Sequence, residues 1–201
     1  PDGDCIASCL GIADILKKLN KEYKLLSSGP FKRPEIKKFE KQFSNKTDFL
    51  DNKDRKNTGL IILDCSELSR LGEIDGDLSD LDIFVIDHHK TSNLPENAKG
   101  FIDPEAPACA YLVQIFYEKI LGKIPLKLAN ILFFGLSTDT GYFRFLSQDS
   151  AEVFMAAARL VSYGVEPRMI YNEINSGKPY STRQLLGVLL SKAERFLDGK
   201  L

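Results

Sequence analysis

Four short acidic segments hold the residues of this 201-residue chain that are best suited to chemistry. They are Pro1-Asp2-Gly3-Asp4, Asp64 in LIILDCS, Asp87-His88-His89 at the end of DIFVIDHH, and Asp139 in GLSTDTGYFRF. Each alone has a simpler interpretation, because an aspartate before a helix is a good N-cap and an aspartate beside glycine favours a turn. Four such segments together, one of them containing both histidines of the chain, favour a shared site.

A divalent metal site is the chemistry that such a cluster predicts. Several carboxylates in one cleft repel each other and bind protons unless a cation neutralises them. A mainly oxygen ligand set with an imidazole suits Mn²⁺ better than a metal that prefers thiolates. Two ions about 4 Å apart can clamp a phosphoryl group and turn a bridging water into hydroxide near neutral pH. We expect Gly3 to let Asp2 and Asp4 converge through a tight turn.

The elements that must position these segments predict an α/β fold, with a mainly parallel sheet flanked by helices. Apolar runs predict strands at 59–63 and 80–86, each followed by an aspartate, and a short strand at 23–26. Helical periodicity predicts helices at 5–20, 34–41, 107–121, 125–137, 148–163, 166–175 and 181–197. Strands that are apolar on both faces and alternate with helices are typical of a parallel sheet, where ligands bind beyond the carboxyl ends of the strands.

Composition excludes several other classes of protein. A chain of 201 residues, 43% of them hydrophobic, is enough for one ordinary domain with an appendage. Its formal net charge of −1 argues against a large basic face for long nucleic acid. The apolar runs are too short to cross a membrane, and no secretory signal is visible, so we expect a cytoplasmic protein. Its four cysteines match no zinc-ligand spacing.

Taken in order, PDGD, the aspartate of LIILDCS, VIDHHKT and STDTGYFRF resemble the four motifs of the DHH phosphoesterase superfamily. The resemblance covers about residues 1–165. This superfamily includes RecJ-type exonucleases, family II inorganic pyrophosphatases, exopolyphosphatases and cyclic-dinucleotide phosphodiesterases. The TDTGxFRF form, followed by a helix and LVSYGVEP, is most similar to the nano-RNase branch. Those enzymes act as oligoribonucleases and as phosphatases of 3′-phosphoadenosine 5′-phosphate.

The resemblance implies a role for each matching residue. Two Mn²⁺ ions, with Mg²⁺ or Co²⁺ as alternatives, would be held by Asp2, Asp4, Asp64, His88 and Asp139. Of these, Asp64 and Asp139 would be shared between the ions. His89 would face the substrate phosphate, and Asp87 would orient His88 through its other ring nitrogen. Apart from the motifs, Arg144 could reach a phosphate or stack on a base, with a structural ion pair as an equal alternative.

Two departures from the family pattern lead to further expectations. The family's first motif begins with a histidine three residues before the proline, and this chain starts at the proline. A second domain that binds the distal part of the substrate is also absent. We therefore expect a fragment with impaired activity, in which 1–165 is the catalytic domain and 166–201 is a helical linker toward a second domain. The linker is expected to pack against the sheet domain or a partner, with homodimerisation left open.

Three functions follow as hypotheses. The first is a phosphoesterase that hydrolyses short oligoribonucleotides, 3′-phosphoadenosine 5′-phosphate, or both, through a metal-bridging hydroxide. The second is another activity of the superfamily: a pyrophosphatase or exopolyphosphatase, or a cyclic-dinucleotide phosphodiesterase. The third is a non-catalytic nucleotide-binding module. The retention of every acidic motif residue argues against the third, because a degenerate relative has no need of them.

Overall fold

The structure, a computed structural model, describes residues 1–47, 55–78, 80–90, 94, 98–175 and 179–194. The last part of the predicted linker, 195–201, lies outside the described residues. Within the described ranges, no helix is both long enough and apolar enough to cross a membrane.

A three-stranded parallel sheet lies at the centre of the fold and confirms the predicted α/β class. Its strands are β1 (Gly59–Leu63), β2 (Asp82–Asp87) and β3 (Ala98–Ile102), in the order β1-β2-β3. The carboxyl ends are aligned because Leu63 pairs with Ile86 and Ile86 pairs with Phe101. The residues that follow β1 and β2 therefore lie side by side at the carboxyl ends of the strands.

Strand β3 was missed by the sequence analysis, whereas β1 and β2 were predicted within two residues. The segment AKGFI of β3 contains a lysine and a glycine, and none of its residues is buried. Among the described strands it pairs with β2 alone, and it lacks the apolar run that marked β1 and β2 in the sequence. The predicted strand at 23–26 is wrong: within it only Leu26 pairs, in an isolated bridge to Ser44.

The helices confirm the predicted periodicity, although the predicted helices at 34–41 and 181–197 end early, at Lys37 and Ser191. They are α1 (Gly3–Lys18), α2 (Pro34–Lys37), α3 (Cys109–Leu121), α4 (Leu126–Asp139), α5 (Ala151–Ser162), α6 (Pro167–Asn175) and α7 (Tyr180–Ser191). The start of α1 lies two residues before the predicted one, because the carboxylate of Asp2 accepts the N–H of Cys5 and caps the helix.

The two faces of the sheet belong to two apolar cores. Leu63 and Ile86 pack into the main core, which contains the buried faces of α1, α3 and α4. Ile62, Ile83 and Val85 point to the opposite face and form a smaller cluster. Because α1 and α4 share the main core with the ends of β1 and β2, the acidic segments on all four elements are brought to one region.

Helices α1 and α4 pack closely because small residues face each other across them. A Cβ added at Gly3 would lie 2.6 Å from Oγ1 of Thr138, and one at Gly135 would lie 2.5 Å from the Cβ of Ala7. Gly3 is the first residue of α1 and has no left-handed conformation. The predicted tight turn at Gly3 is therefore wrong: this glycine allows a close helix contact instead.

The two helices of the predicted linker differ in their packing. Helix α6 packs on α4 through the buried Ile170, and the phenol of Tyr142 donates to the carbonyl of Pro167 at 2.6 Å. In α7 no residue is buried, and Leu186 and Leu190 are exposed. The expected packing of the tail against the sheet domain holds for α6, while α7 presents its apolar side chains to solvent.

Candidate metal centre

Asp64 and the Asp87-His88-His89 segment enter the site from neighbouring strands. Asp64 directly follows β1, and its N–H donates to the carbonyl of Ile86 at 3.0 Å. Its φ of 62° is left-handed, a conformation that aspartate adopts more readily than most residues. This bend turns the Asp64 side chain across the end of the sheet, toward the histidines that follow β2.

His88 lies among three carboxylates that come from three other elements. Its Nε2 atom is 3.3 Å from Oδ1 of Asp64, 3.5 Å from Oδ2 of Asp139 and 3.7 Å from Oδ2 of Asp4. Asp4 is in the first turn of α1, and Asp139 is the last residue of α4. The structure therefore brings together four of the five predicted metal ligands, with three carboxylates around the imidazole nitrogen of the fourth.

A backbone carbonyl orients the His88 ring. Nδ1 of His88 lies 3.2 Å from the carbonyl oxygen of Ala106. A carbonyl can only accept a hydrogen bond, so Nδ1 carries a proton and donates it. Nε2 is then the nitrogen that can give up its proton and bind a metal.

Asp87 orients the other histidine, and the predicted contact of Asp87 with the His88 ring is wrong. Oδ1 of Asp87 lies 2.7 Å from Nδ1 of His89 and also accepts the backbone N–H of His88 at 2.8 Å. The same oxygen also accepts the backbone N–H of His89 at 3.3 Å, so the Asp87 carboxylate contacts the residues that follow it at the end of β2. The group that contacts Nδ1 of His88 is the Ala106 carbonyl, and not Asp87 as predicted.

Asp4 is completely buried and joins α1 to α3. Its two carboxylate oxygens accept the backbone N–H groups of Cys109 at 2.6 Å and Ala110 at 2.7 Å, at the start of α3. A carboxylate is stabilised at this position by the positive end of the helix dipole. It is Asp2 that caps α1, so Asp4 is not a simple N-cap of its own helix.

The close approach of these groups shifts their protonation. Burial, together with the charges of Asp64 and Asp139, raises the pKa of Asp4 well above its usual value, despite the two backbone donors. Burial also raises the pKa of Asp64, against the opposing effect of His88. For His88, burial lowers the pKa, but the neighbouring Asp139 and Asp64 outweigh it and raise the pKa to about 10. The cluster therefore holds extra protons when no cation is bound.

The residues fit a divalent cation. Nε2 of His88 and Oδ1 of Asp64 are buried, and neither makes a hydrogen bond of normal geometry with a described residue. A buried polar atom without a partner is costly, and a metal ion would satisfy both atoms at once. Two overlapping sets, Asp4-His88-Asp139 and Asp64-His88-His89, each bring three ligand atoms within 4.8 Å of one another.

Asp2, the fifth predicted ligand, lies at the border of the cluster. Its Oδ1 accepts the N–H of Cys5 at 3.1 Å, and its charge raises the pKa of Asp64. With Asp64, His89 and Asp139 it lines a groove of about 1380 Å³ that residues of α1 and β1 also line. The structure places Asp2 beside the other four residues, with its carboxylate engaged as a helix cap.

Arg144 lies outside the cluster and is exposed to solvent. Its guanidinium carbon lies 4.6 Å from the centre of the Phe145 ring. Among the described residues it forms no ion pair, so the structural ion pair that was the alternative interpretation is not found.

The contributions that sequence reasoning missed come from the backbone. The carbonyl of Ala106 orients His88, and the N–H groups of Cys109 and Ala110 hold Asp4. The only sequence signal is the run of small residues in APACA, in which Ala108 and Cys109 are fully buried. Small side chains permit the close backbone approach that these bonds require.

This chain belongs to the DHH family. Its residues 1–136 match the N-terminal domain of that family, which confirms the resemblance drawn from the four motifs. The matched segment contains Asp2, Asp4, Asp64, His88 and His89, whereas Asp139 follows it by three residues.

Two known proteins place the chain more closely. The bifunctional oligoribonuclease and PAP phosphatase NrnA of Thermus thermophilus is 30% identical over 205 residues, a match that covers all of this chain and 59% of the relative. The crystal structure of an exopolyphosphatase-related protein from Bacteroides fragilis has a TM-score of 0.84 at 24% identity, over 98% of this chain and 60% of that one. The first supports the predicted NrnA-like branch, and the second shows the fold. The chain spans about three fifths of the length of each.

Proposed function

We propose that this protein is a metal-dependent phosphoesterase that hydrolyses short oligoribonucleotides, 3′-phosphoadenosine 5′-phosphate, or both. The observation that carries the proposal is the buried Nε2 of His88, which lies within 3.7 Å of three carboxylates and makes no hydrogen bond of normal geometry in the part of the chain that the structure describes. An arrangement in which burial raises the pKa of two aspartates is unfavourable without a counter-charge. Such an arrangement is expected where a cation completes the site.

Divalent ions would be held by Asp4, Asp64, His88 and Asp139. Asp2, which lines the groove, would be the fifth ligand. Mn²⁺ suits this mixture of carboxylates and imidazole, and Mg²⁺ and Co²⁺ are the alternatives. Bound there, such ions would neutralise the carboxylates, attract a phosphoryl group and make a water molecule more acidic. The Ala106 carbonyl binds Nδ1 of His88 and so leaves Nε2 available for a metal ion. The backbone N–H of Cys109, at the start of α3, holds the carboxylate of Asp4 in place.

His89 is the residue best placed to contact the substrate phosphate. It is more exposed than His88, and Asp87 accepts a hydrogen bond from its Nδ1. Burial raises the pKa of Asp87, but the hydrogen bond from His89 outweighs burial and lowers the pKa below its usual value, so this carboxylate stays ionised. The ionised partner accepts the Nδ1 proton and fixes the ring, so that the imidazolium form of His89 can donate its Nε2 proton to a phosphoryl oxygen or the leaving group.

The choice of substrate rests on the Thermus relative, whose name describes an oligoribonuclease and PAP phosphatase. The test is hydrolysis by the full-length protein with Mn²⁺ of four compounds: a dinucleotide RNA, 3′-phosphoadenosine 5′-phosphate, pyrophosphate and cyclic di-AMP. Turnover of the first two, abolished by a chelator, is the expected result. Preference for pyrophosphate would favour the alternative within the superfamily, and turnover of none would leave only a binding module. Asp149→Asn serves as a control, because Asp149 is an exposed carboxylate outside the centre.

A further inference from the structure

The turn that follows Asp139 has an unusual backbone. Gly141, Tyr142 and Phe143 have φ values of 56°, 58° and 69°, so three consecutive residues are left-handed and two of them are aromatic. Bulky residues rarely adopt this conformation. Where the surrounding structure enforces such strain, it often marks a functional site.

Hydrogen bonds hold this turn in place. The N–H of Tyr142 donates to the carbonyl of Ser137 at 2.7 Å and that of Gly141 donates to Thr138 at 3.4 Å, the pattern of a Schellman motif at the end of α4. The buried Thr140 continues the support: its hydroxyl oxygen accepts the N–H of Phe143 at 3.0 Å, and its carbonyl accepts that of Phe145 at 3.2 Å. These four hydrogen bonds hold the strained backbone of the turn in place.

The turn presents Arg144 and Phe145 to solvent, while Tyr142 and Phe143 face inward. Phe145 is 65% exposed, and the guanidinium of Arg144 lies over its ring. Tyr142 and Phe143 instead pack edge to face against Phe133 of the main core. The left-handed turn, which is unfavourable for Tyr142 and Phe143, is thus followed directly by an exposed guanidinium and an exposed aromatic ring.

This pair lies close to Asp139 along the chain. A Cβ at Gly141 would meet the Phe145 ring at 2.4 Å and Nε of Arg144 at 2.9 Å, so both side chains rest on the Gly141 backbone. Gly141 is two residues after Asp139, which limits the separation of their Cα atoms to about 7 Å. A group bound on the ring would be a neighbour of a phosphate held at Asp139.

We propose that Arg144 and Phe145 form a stacking platform for a nucleobase of the substrate, next to the phosphate that is cleaved. The proposal rests on the proposed function and deepens it. An aromatic face with an adjacent guanidinium stacks on any base, because every base has a π-face. An inorganic polyphosphate has no base to stack on the Phe145 ring, although the Arg144 guanidinium could contact its oxygens. The platform would therefore make the site selective for nucleotides.

The test compares the binding of AMP and ribose 5-phosphate to the Mn²⁺-loaded full-length protein by calorimetry. The two ligands share the sugar and the phosphate and differ only in the base. We expect AMP to bind about tenfold more tightly, and Phe145→Leu to remove that difference while leaving ribose 5-phosphate unchanged. Phe145→Tyr should preserve it. Tyr180→Leu, at an aromatic residue on α7 that is 75% exposed, is the matched control and should change neither.

The outcomes separate this inference from the proposed function. Equal binding of the two ligands by the unmodified protein, or an AMP preference that survives Phe145→Leu, would overturn the platform even if dinucleotides are hydrolysed. An AMP preference that depends on Phe145 supports the platform, and turnover of the four compounds is measured separately. If that preference is present and no compound is hydrolysed, the phosphoesterase proposal fails and the base-binding surface stands.

Discussion

Nδ1 of His89 lies 2.7 Å from Oδ1 of Asp87, although the sequence pattern assigned Asp87 to the other histidine. The Asp87 side chain is completely buried, while His89 remains about one-third exposed. A buried carboxylate with a half-open imidazole resembles the arrangement of an oriented acid or base more than that of a metal ligand. The two histidines therefore divide their roles, with His88 toward the carboxylates and His89 toward solvent.

Asp87→Asn is expected to reduce turnover without removing the metal. An asparagine can present its amide to His89 in either orientation and no longer supplies a negative charge, so the ring loses its fixed proton position. We expect kcat to fall about 10–100-fold, as is typical for the loss of a group that orients a functional side chain. Metal content measured by atomic absorption should stay unchanged. Asp82→Asn, at the exposed start of the same strand, is the control and should behave like the unmodified protein.

His88→Ala and His89→Ala should differ in their effect on metal. Removing His88 takes away the nitrogen that lies among three carboxylates, so we expect Mn²⁺ affinity and activity to fall by more than about 100-fold. Removing His89 should lower turnover by a similar factor while Mn²⁺ binding, measured by calorimetry, is retained. Loss of metal in His89→Ala would show that His89 is itself a ligand, as its closeness to Asp64 and His88 allows.

The sequence predicted the positions of the acidic residues better than their partners. Apolar runs ending in Asp64 and Asp87 were sufficient to place both at one edge of a parallel sheet, because strand direction alone determines this. The partner of Asp87 was predicted wrongly, because its rotamer and the local backbone decide whether its carboxylate reaches the ring of His88 or that of His89. No residue pattern encodes that choice.

Two other features were beyond sequence reasoning for related reasons. The Ala106 carbonyl that orients His88 is a backbone group, so the only sequence sign of its role is the run of small residues in which it lies. Gly3 was interpreted as a turn residue, yet its function is to let α1 approach Thr138 of α4. A glycine indicates that space or conformation is needed, and only the packed structure shows which of the two applies.

The metal-free protein should lose stability as the pH rises. His88 has a folded-state pKa of about 10 against an ordinary value of 6.5, so its stabilising contribution is complete below pH 6.5 and is lost as the pH approaches 10. The raised pKa values of Asp4 and Asp64 act in the same direction, because folding then requires protons on groups that the unfolded chain releases. We expect the melting temperature in a chelator to fall between pH 6.5 and 10, measured by calorimetry.

Metal binding should show the opposite dependence on pH. A divalent ion displaces the protons held by His88, Asp4 and Asp64, so Mn²⁺ affinity should rise with pH and binding should release protons. Titrations in two buffers of different ionisation enthalpy measure that release directly. His88→Ala removes the group with the pKa of about 10 and should flatten the decline in melting temperature of the chelated protein. An unchanged pH profile in that variant would contradict the assignment to His88.

Gly135→Ala should disturb the metal centre from a distance. The new Cβ would lie 2.5 Å from the Cβ of Ala7, an atom fixed to the backbone of α1, so the two helices must move apart. Helix propensity gains slightly, but overpacking costs about 1–3 kcal/mol and should prevail. Because Asp4 is on α1 and Asp139 ends α4, the same movement separates two predicted ligands.

We therefore expect Gly135→Ala to lower both the free energy of unfolding in denaturant and the affinity for Mn²⁺. Gly187→Ala is the matched control, since nothing lies within 4 Å of a Cβ added at Gly187 in α7. That substitution gains helix propensity without a clash, and it should leave Mn²⁺ binding unchanged. If Gly135→Ala lowers stability but binds Mn²⁺ normally, the spacing of α1 and α4 does not set the geometry of the centre, and Asp139 is not held in place by this helix contact.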